Sequence, residues 1–373
     1  MNLFAPYRRS YKLCSLLLST FALYLIFFYN QQQPQGNYVS SIEVDFQLNR
    51  NLCNCPTVEA EKSAFDTDIT SWRTSGTTGY TSHKKLPICP NVPKEMPYML
   101  AGKLTQDLLQ LSNSALQDYL NKLYATSLND TMPGGEWGPS WCQAPFKVAI
   151  IIPYRDRKQH LNRLLGYLAP ILRRQLLWYV FVVAEQEGSG TFNKGRLMNA
   201  AFTMAEALNV DCVIFHDVDI FPQDDRIPYG CPSQPFHLGG RVSTLNYVIW
   251  YHHLVGGALA FRTEHFKQVN GYSNTFWGWG GEDEDMGKRI LAENLTITRP
   301  DDAVSQYTML KHSKRKALNP GLVRNKLSNF TSEYKIEGLN SETAWKIVNV
   351  TKEPLYYHVL VDVGTMPKAW KQL

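Results

Sequence analysis

The sequence is poor in several features, and each absence removes a class. No basic patch interleaved with aromatics occurs, and the net charge is only +5 over 373 residues. Nucleic acid is therefore excluded as a partner, while the mild positive balance suits small anions such as nucleotide sugars. No internal repeat is present, so stacked-repeat architectures drop out. Lysine and arginine are missing between Lys12 and Arg50, and no small-x-small cleavage site follows Phe28 and Tyr29. Cysteine is scarce: seven in all, one of them Cys14.

What remains is a globular composition, 44% hydrophobic and 19% charged, enough for an ample core. Arg8, Arg9 and Lys12 precede an apolar run from Leu13 to Tyr29. By the positive-inside rule the run reads as a signal-anchor with residues 1–12 cytoplasmic. A cleaved signal peptide is the competing reading. At about 17 residues the run is short for a span, which favours an early-secretory membrane. The expectation is a single-pass type II protein of the Golgi membrane. Residues 30–85, with Gln-Gln-Gln-Pro-Gln-Gly and Thr-Ser-Gly-Thr-Thr-Gly, read as a lumenal stem. Cys53 and Cys55 sit too close for an easy mutual bond and leave a homodimer open. Asn129, Asn294, Asn329 and Asn349 each open an N-x-Ser/Thr sequon, in keeping with a lumenal face.

The folded domain is expected over 86–373. Lys147–Pro153 and Trp178–Ala184 are buried-strand runs, and Asp211–Phe215 is a third. Leu161, Leu164, Leu165, Leu168 and Leu172 recur at helical spacing, and a second helix is expected from Asn193 to about Leu208. This alternation predicts a parallel α/β sheet with ligands at the carboxyl ends of its strands. A further strand is expected within Leu355–Val363.

Two stretches carry chemistry. Asp217-Val218-Asp219 closes a strand, and alternation would put both carboxylates on one side. Such donors suit Mg²⁺ or Mn²⁺ on a diphosphate, and equally an Asp pair capping a turn. Phe276–Met286 sets four consecutive acids, Glu282 to Asp285, behind Trp277, Trp279 and three glycines. The tryptophans offer faces for sugar rings, and a carboxylate beside them suits a general base on a hydroxyl. The plain alternative is a glycine turn entering an acid-capped helix, and both hold together. On sequence alone His312 is a surface histidine and Met309 core, since a thioether is a poor ligand for a hard cation.

The run WGWGGEDEDM closely resembles the signature of the β-1,4-galactosyltransferase family, WGWGGEDDD. Other segments follow in the family's order from about Leu86 to Met366. Pro153-Tyr154-Arg155-Asp156-Arg157 resembles PFRNR, with Tyr154 for Phe; Phe192-Asn193-Lys194 resembles FNRA; Met309-Leu-Lys-His312 resembles M-x-x-H. The resemblance implies a GT-A-type, Rossmann-like α/β nucleotide-sugar domain and an inverting transfer. It implies Mn²⁺ on Asp219, Met309 and His312, and Asp283 as base with Glu282 beside it. Pro153, Tyr154, Arg155, Arg157, Phe192 and Lys194 then face the nucleotide, although Lys for Arg loses bidentate geometry. Asp217, Val218, Leu254 and Trp279 face the donor sugar. Trp279, Gly281, Asp283 and Glu284 face the acceptor. It also implies disulfides Cys89–Cys142 and Cys212–Cys231, and a lid after His312 that closes over the donor.

Two departures matter. Leu254 stands where galactose-specific relatives carry Tyr, and relatives with a short aliphatic residue there prefer UDP-GalNAc. Leu322-Val323 replaces an Arg-Phe pair that holds the acceptor's N-acetyl group, and Glu284 replaces Asp. The expected reaction is GalNAc transfer from UDP-GalNAc in β1,4 linkage to terminal GlcNAc. Galactose transfer from UDP-galactose is the alternative, and a GlcNAc-binding lectin without turnover is a third. A hydrolase needs two carboxyls flanking the bond, whereas these acids form one run.

Overall fold

The computed structural model describes residues 86–91, 100–127, 132, 134–311 and 318–371. The anchor (13–29), the stem with Cys53 and Cys55, Asn129 and His312 lie outside the described residues. Among the described residues no helix is long and apolar enough to cross a membrane.

The centre of the domain is β1 (Lys147–Tyr154), whose β-branched run is buried on both faces. Val148, Ile150 and Ile152 enter one apolar layer, and Ala149 and Ile151 enter the other. This two-residue period lets helices cover both faces of the sheet. Helix α1 (Asn113–Ser127) and helix α2 (Lys158–Arg174) cover the first face, α2 through Leu161, Leu164, Leu165, Leu168 and Leu172. Strand β2 (Trp178–Gln186) pairs parallel with β1, and α3 (Lys194–Ala207) covers the second face through Leu197, Ala201 and Phe202. Asn193 caps α3, its side-chain oxygen accepting from the Arg196 N–H at 2.9 Å.

Strand β3 (Cys212–His216) pairs parallel with β1 on its other side, and the chain turns at once into β4 (Ile220–Pro222). Then come β5 (Phe236–His237), β6 (Arg241–Val242), β7 (Ala258–Arg262) and the short helix α4 (Thr263–Gln268). The acid run opens helix α5 (Glu282–Ala292), which is followed by β8 (Gln306–Met309). Helices α6 (Pro320–Ser328) and α7 (Phe330–Glu333) precede β9 (Lys346–Lys352) and β10 (Tyr357–Asp362).

The main sheet runs β5-β7-β3-β1-β2-β10-β9. Its four central strands are parallel, whereas β7, β5 and β9 pair antiparallel at the flanks. The sheet is therefore mixed, which corrects the all-parallel expectation. The reason is topological: β7 returns beside β3 without a crossover helix. A second sheet, β4-β8-β6, stands beside the end of β3. Cys89–Cys142 and Cys212–Cys231 are disulfide-bonded, as the family resemblance implied.

Candidate active site

The site lies where β1 and β3 end and helices α3 and α5 begin. Gly281 precedes α5 with φ near +105°, a conformation that favours glycine, and the four acids occupy the first turn, where the helix dipole favours negative charge. Lys194, first residue of α3, reaches into this cluster. Its Nζ is 3.0 Å from Asp217, 3.2 Å from Asp283 and 3.7 Å from Glu282. Burial alone would lower the Lys194 pKa, but the three carboxylates outweigh it and hold the ammonium well above its ordinary range. Glu282 is pushed up to about 7, first by burial and then by Asp283, against the pull of Lys194. Asp217 is also raised, again first by burial.

Asp283 is the open member of the acid pair, its side chain 28% exposed against 12% for Glu282. It is seated on bare backbone. A Cβ placed on Gly256 would lie 2.7 Å from Asp283 Oδ2, so only glycine allows the carboxylate its position. Gly256 is itself pinned by buried His237, whose Nε2–H donates to the Gly256 carbonyl at 2.7 Å. Tyr272, Val255 and Gly257 line the small cavity shared by Lys194, Asp217 and Asp283. Sequence reasoning named none of the three as a site residue, although Val255 and Gly257 follow Leu254 in the segment that resembles the family's Tyr-Phe-Gly-Gly.

Asp217 and Asp219 fall in the turn between β3 and β4, beyond the strand whose alternation was invoked. Val218 is nevertheless buried in the core, and the two carboxylates take different partners: Asp217 meets Lys194, and Asp219 accepts from Arg157 at 2.8 Å. Across the second sheet Ile220 faces Met309, and the Leu310 N–H donates to the Asp219 carbonyl at 2.8 Å. Asp219, just ahead of β4, and Met309, at the end of β8, are thus held side by side. The Met309 sulfur accepts from the Thr244 hydroxyl at 3.0 Å, a contact with no sequence signal. Among the described residues no three His, Cys, Asp or Glu side chains converge as a ready-made metal cage. Of the ligands the resemblance implies, Asp219 and Met309 are described and His312 lies outside the described residues. The Asp219 carboxylate fits a cation, since it already carries the Arg157 guanidinium as a positive partner.

Other predicted residues divide. Arg155 stacks over Phe192, 5.2 Å to the ring centroid, and donates to the Gly190 carbonyl at 2.6 Å. Pro153 and Tyr154 end β1, Tyr154 opposite Glu185. Leu254 is half-buried, its carbonyl held by Arg299 at 3.0 Å, and its neighbour Val255 is the one that lines the cavity. Glu284 points toward Lys288 and His253, 3.4 and 3.8 Å away. The two tryptophans part company. Trp279 is 59% exposed, but Trp277 is 1% exposed beneath the Arg196 guanidinium, so it is core and offers no face to a sugar. Asn294, Asn329 and Asn349 are exposed.

Paired acids at the strand ends, met by Lys194 and Arg157 from the starts of α3 and α2, define a nucleotide-sugar transferase class of site. The model for the N-terminal region of glycosyl transferase group 7 matches residues 94–232, and that for the N-terminal domain of galactosyltransferase matches 237–313. The chain is 37% identical to Mus musculus β-1,4-galactosyltransferase 1 over 291 residues, 78% of this chain and 69% of that one. It is 34% identical to Mus musculus β-1,4-galactosyltransferase 4 over 365 residues, 96% and 98% of the two chains. The crystal structure of the catalytic domain of Drosophila β-1,4-galactosyltransferase 7 with xylobiose superposes with TM-score 0.51 at 28% identity, covering 59% of this chain and 94% of that one. This chain belongs to the β-1,4-galactosyltransferase family.

Proposed function

We propose that the chain is an inverting β1,4-hexosyltransferase that moves galactose from UDP-galactose to a terminal GlcNAc. The observation that carries the chemistry is the seating of Asp283, half-open on Gly256 and paired with Lys194. In this reading Asp283 takes the proton of the acceptor's 4-hydroxyl. That oxygen then bonds to the anomeric carbon from the face opposite the nucleotide, the bond from that carbon to the phosphate oxygen breaks, and UDP leaves with the electron pair. Glu282 and Asp217 orient the donor sugar, while Arg155, Phe192 and Arg157 hold the nucleotide. Asp219, Met309 and His312 would hold Mn²⁺, which when bound neutralises the departing diphosphate. The names of the relatives support galactose as the donor sugar.

UDP-GalNAc is the second reading, favoured by one residue: Leu254 lacks the ring and hydroxyl that would crowd an acetamide. The lectin alternative loses ground to the base and nucleotide side chains, which binding alone does not require. We place the protein in the Golgi membrane as a type II chain, with the exposed sequons facing the lumen. One assay decides the donor. With Mn²⁺ and a β-N-acetylglucosaminide, UDP-galactose and UDP-GalNAc are offered separately to wild type and to Leu254→Tyr. Faster galactose transfer by the wild type supports the main reading. A wild-type preference for GalNAc that Leu254→Tyr reverses supports the second. No transfer of either sugar would overturn both.

A further inference from the structure

We infer that Arg157 is an internal counter-ion for Asp219, occupying the carboxylate until a divalent cation takes it over, and is then released toward the donor's diphosphate. The inference rests on the metal reading given above. Arg157 stands at the start of α2, where its main chain is fixed by the helix, and its guanidinium reaches Asp219 Oδ2 at 2.8 Å across 62 positions of sequence. Both side chains are substantially shielded, 21% and 7% exposed, so the pair is stronger than a surface contact. The main chain of Asp219 is fixed too, by the Leu310 N–H on its carbonyl and by the Ile220–Met309 pairing. Only the side-chain partnership is free to change.

A second cation cannot share that oxygen on equal terms. A guanidinium beside a divalent ion on one carboxylate repels it, and the lone pair given to the N–H is not available for coordination. A metal entering at Asp219 therefore competes with Arg157. Arg157 thus holds the Asp219 side chain in place while no metal is bound. Once displaced it is a mobile, bidentate donor at the end of β1, well suited to phosphate oxygens.

This gives two effects of opposite sign. Arg157→Gln is expected to bind Mn²⁺ about tenfold more tightly, a gain of about 1.4 kcal/mol. At saturating Mn²⁺ it is expected to bind UDP about tenfold more weakly. Metal binding is read from the loss of the free-Mn²⁺ electron paramagnetic resonance signal, and UDP binding by calorimetry, both on the purified chain. Arg157→Lys keeps the charge but cannot fork, so its metal affinity should rise only a few-fold. It carries the test if the Gln variant does not fold. A merely structural role for Arg157 would weaken both ligands together, and that result overturns the inference. Asp219→Asn separates the two failures. If Mn²⁺ binding survives it, the metal reading itself falls and takes this inference with it. If Asp219→Asn abolishes binding but neither Arg157 variant tightens it, the metal reading stands and the counter-ion role does not.

Discussion

Removing Arg289 should destabilise the domain by about 4 kcal/mol, with a pH signature that identifies the cause. Arg289 on α5 is fully buried. Its Nε meets Asp285 at 2.5 Å and its second terminal nitrogen meets Glu337 at 2.6 Å. Nη1 also reaches the carbonyls of Glu337, Tyr334, Asn270 and Gly271 at 3.1 to 3.4 Å. Arg289→Met fills the volume but orphans two carboxylates. Breaking one side of a buried ion pair costs about 3–5 kcal/mol. Glu337 is 18% exposed and still accepts from the Asn274 N–H at 2.8 Å, so the loss falls chiefly on Asp285. A loss near 4 kcal/mol lowers the melting temperature by roughly 10 °C in a domain of this size. Burial already raises the Asp285 pKa, and Arg289 is the main force opposing it. In the variant the folded carboxyl therefore holds its proton to higher pH than the unfolded one. For an acid raised in this way, stability is present at low pH and lost as pH rises through the folded pKa. The deficit should be larger at pH 8 than at pH 5.5 in urea unfolding. Asp285→Asn combined with Arg289→Met should recover part of it, since the pair is then removed from both sides. A cost below about 1 kcal/mol, flat with pH, would refute the argument.

Two further outcomes follow from the residues beneath the base. Burial pulls His237 down to about 4, and its neutral ring is fully used: Nε2–H donates to Gly256, and Nδ1 accepts from Arg299 at 3.3 Å. The unfolded chain therefore binds the extra proton between about pH 6.5 and 4, and stability falls as pH drops through that window. His237→Gln should lose about 3 kcal/mol less than wild type between pH 7 and pH 4; identical losses would show that His237 does not titrate there. Gly256→Ala puts a methyl 2.7 Å from Asp283 Oδ2, so kcat should fall on the order of a hundredfold with little change in donor KM. Unchanged kcat would mean that the Asp283 position is not critical.

The parts of this fold legible in the sequence are those governed by near neighbours. β1 runs from Lys147 as the β-branched stretch indicates, Asn193 caps α3, and the acid run opens a helix. What local pattern cannot carry is the choice between partners far apart in the chain. Trp277 and Trp279 are chemically alike and two positions apart, yet one is core and the other exposed. The difference lies in the backbone around them: Gly278 between them and Gly280 after Trp279 take φ of +84° and +94°, a path that favours glycine. The same limit hides the charge arrangement. Lys194, read as a phosphate contact, meets three carboxylates drawn from β3's end and α5, and Arg157 meets Asp219. Family resemblance named these residues individually, but their pairing follows from β3 and α5 being brought beside the starts of α2 and α3. That pairing has a consequence for loading. Of the three cations the resemblance assigns to the nucleotide, Arg157 and Lys194 are already bound to acids, whereas Arg155 meets the Gly190 carbonyl, so an anionic donor can recruit the first two only as something positive replaces them on the acids. On the proposed metal reading, a cation on Asp219 would free Arg157 for the donor's diphosphate, so that metal and nucleotide would load together.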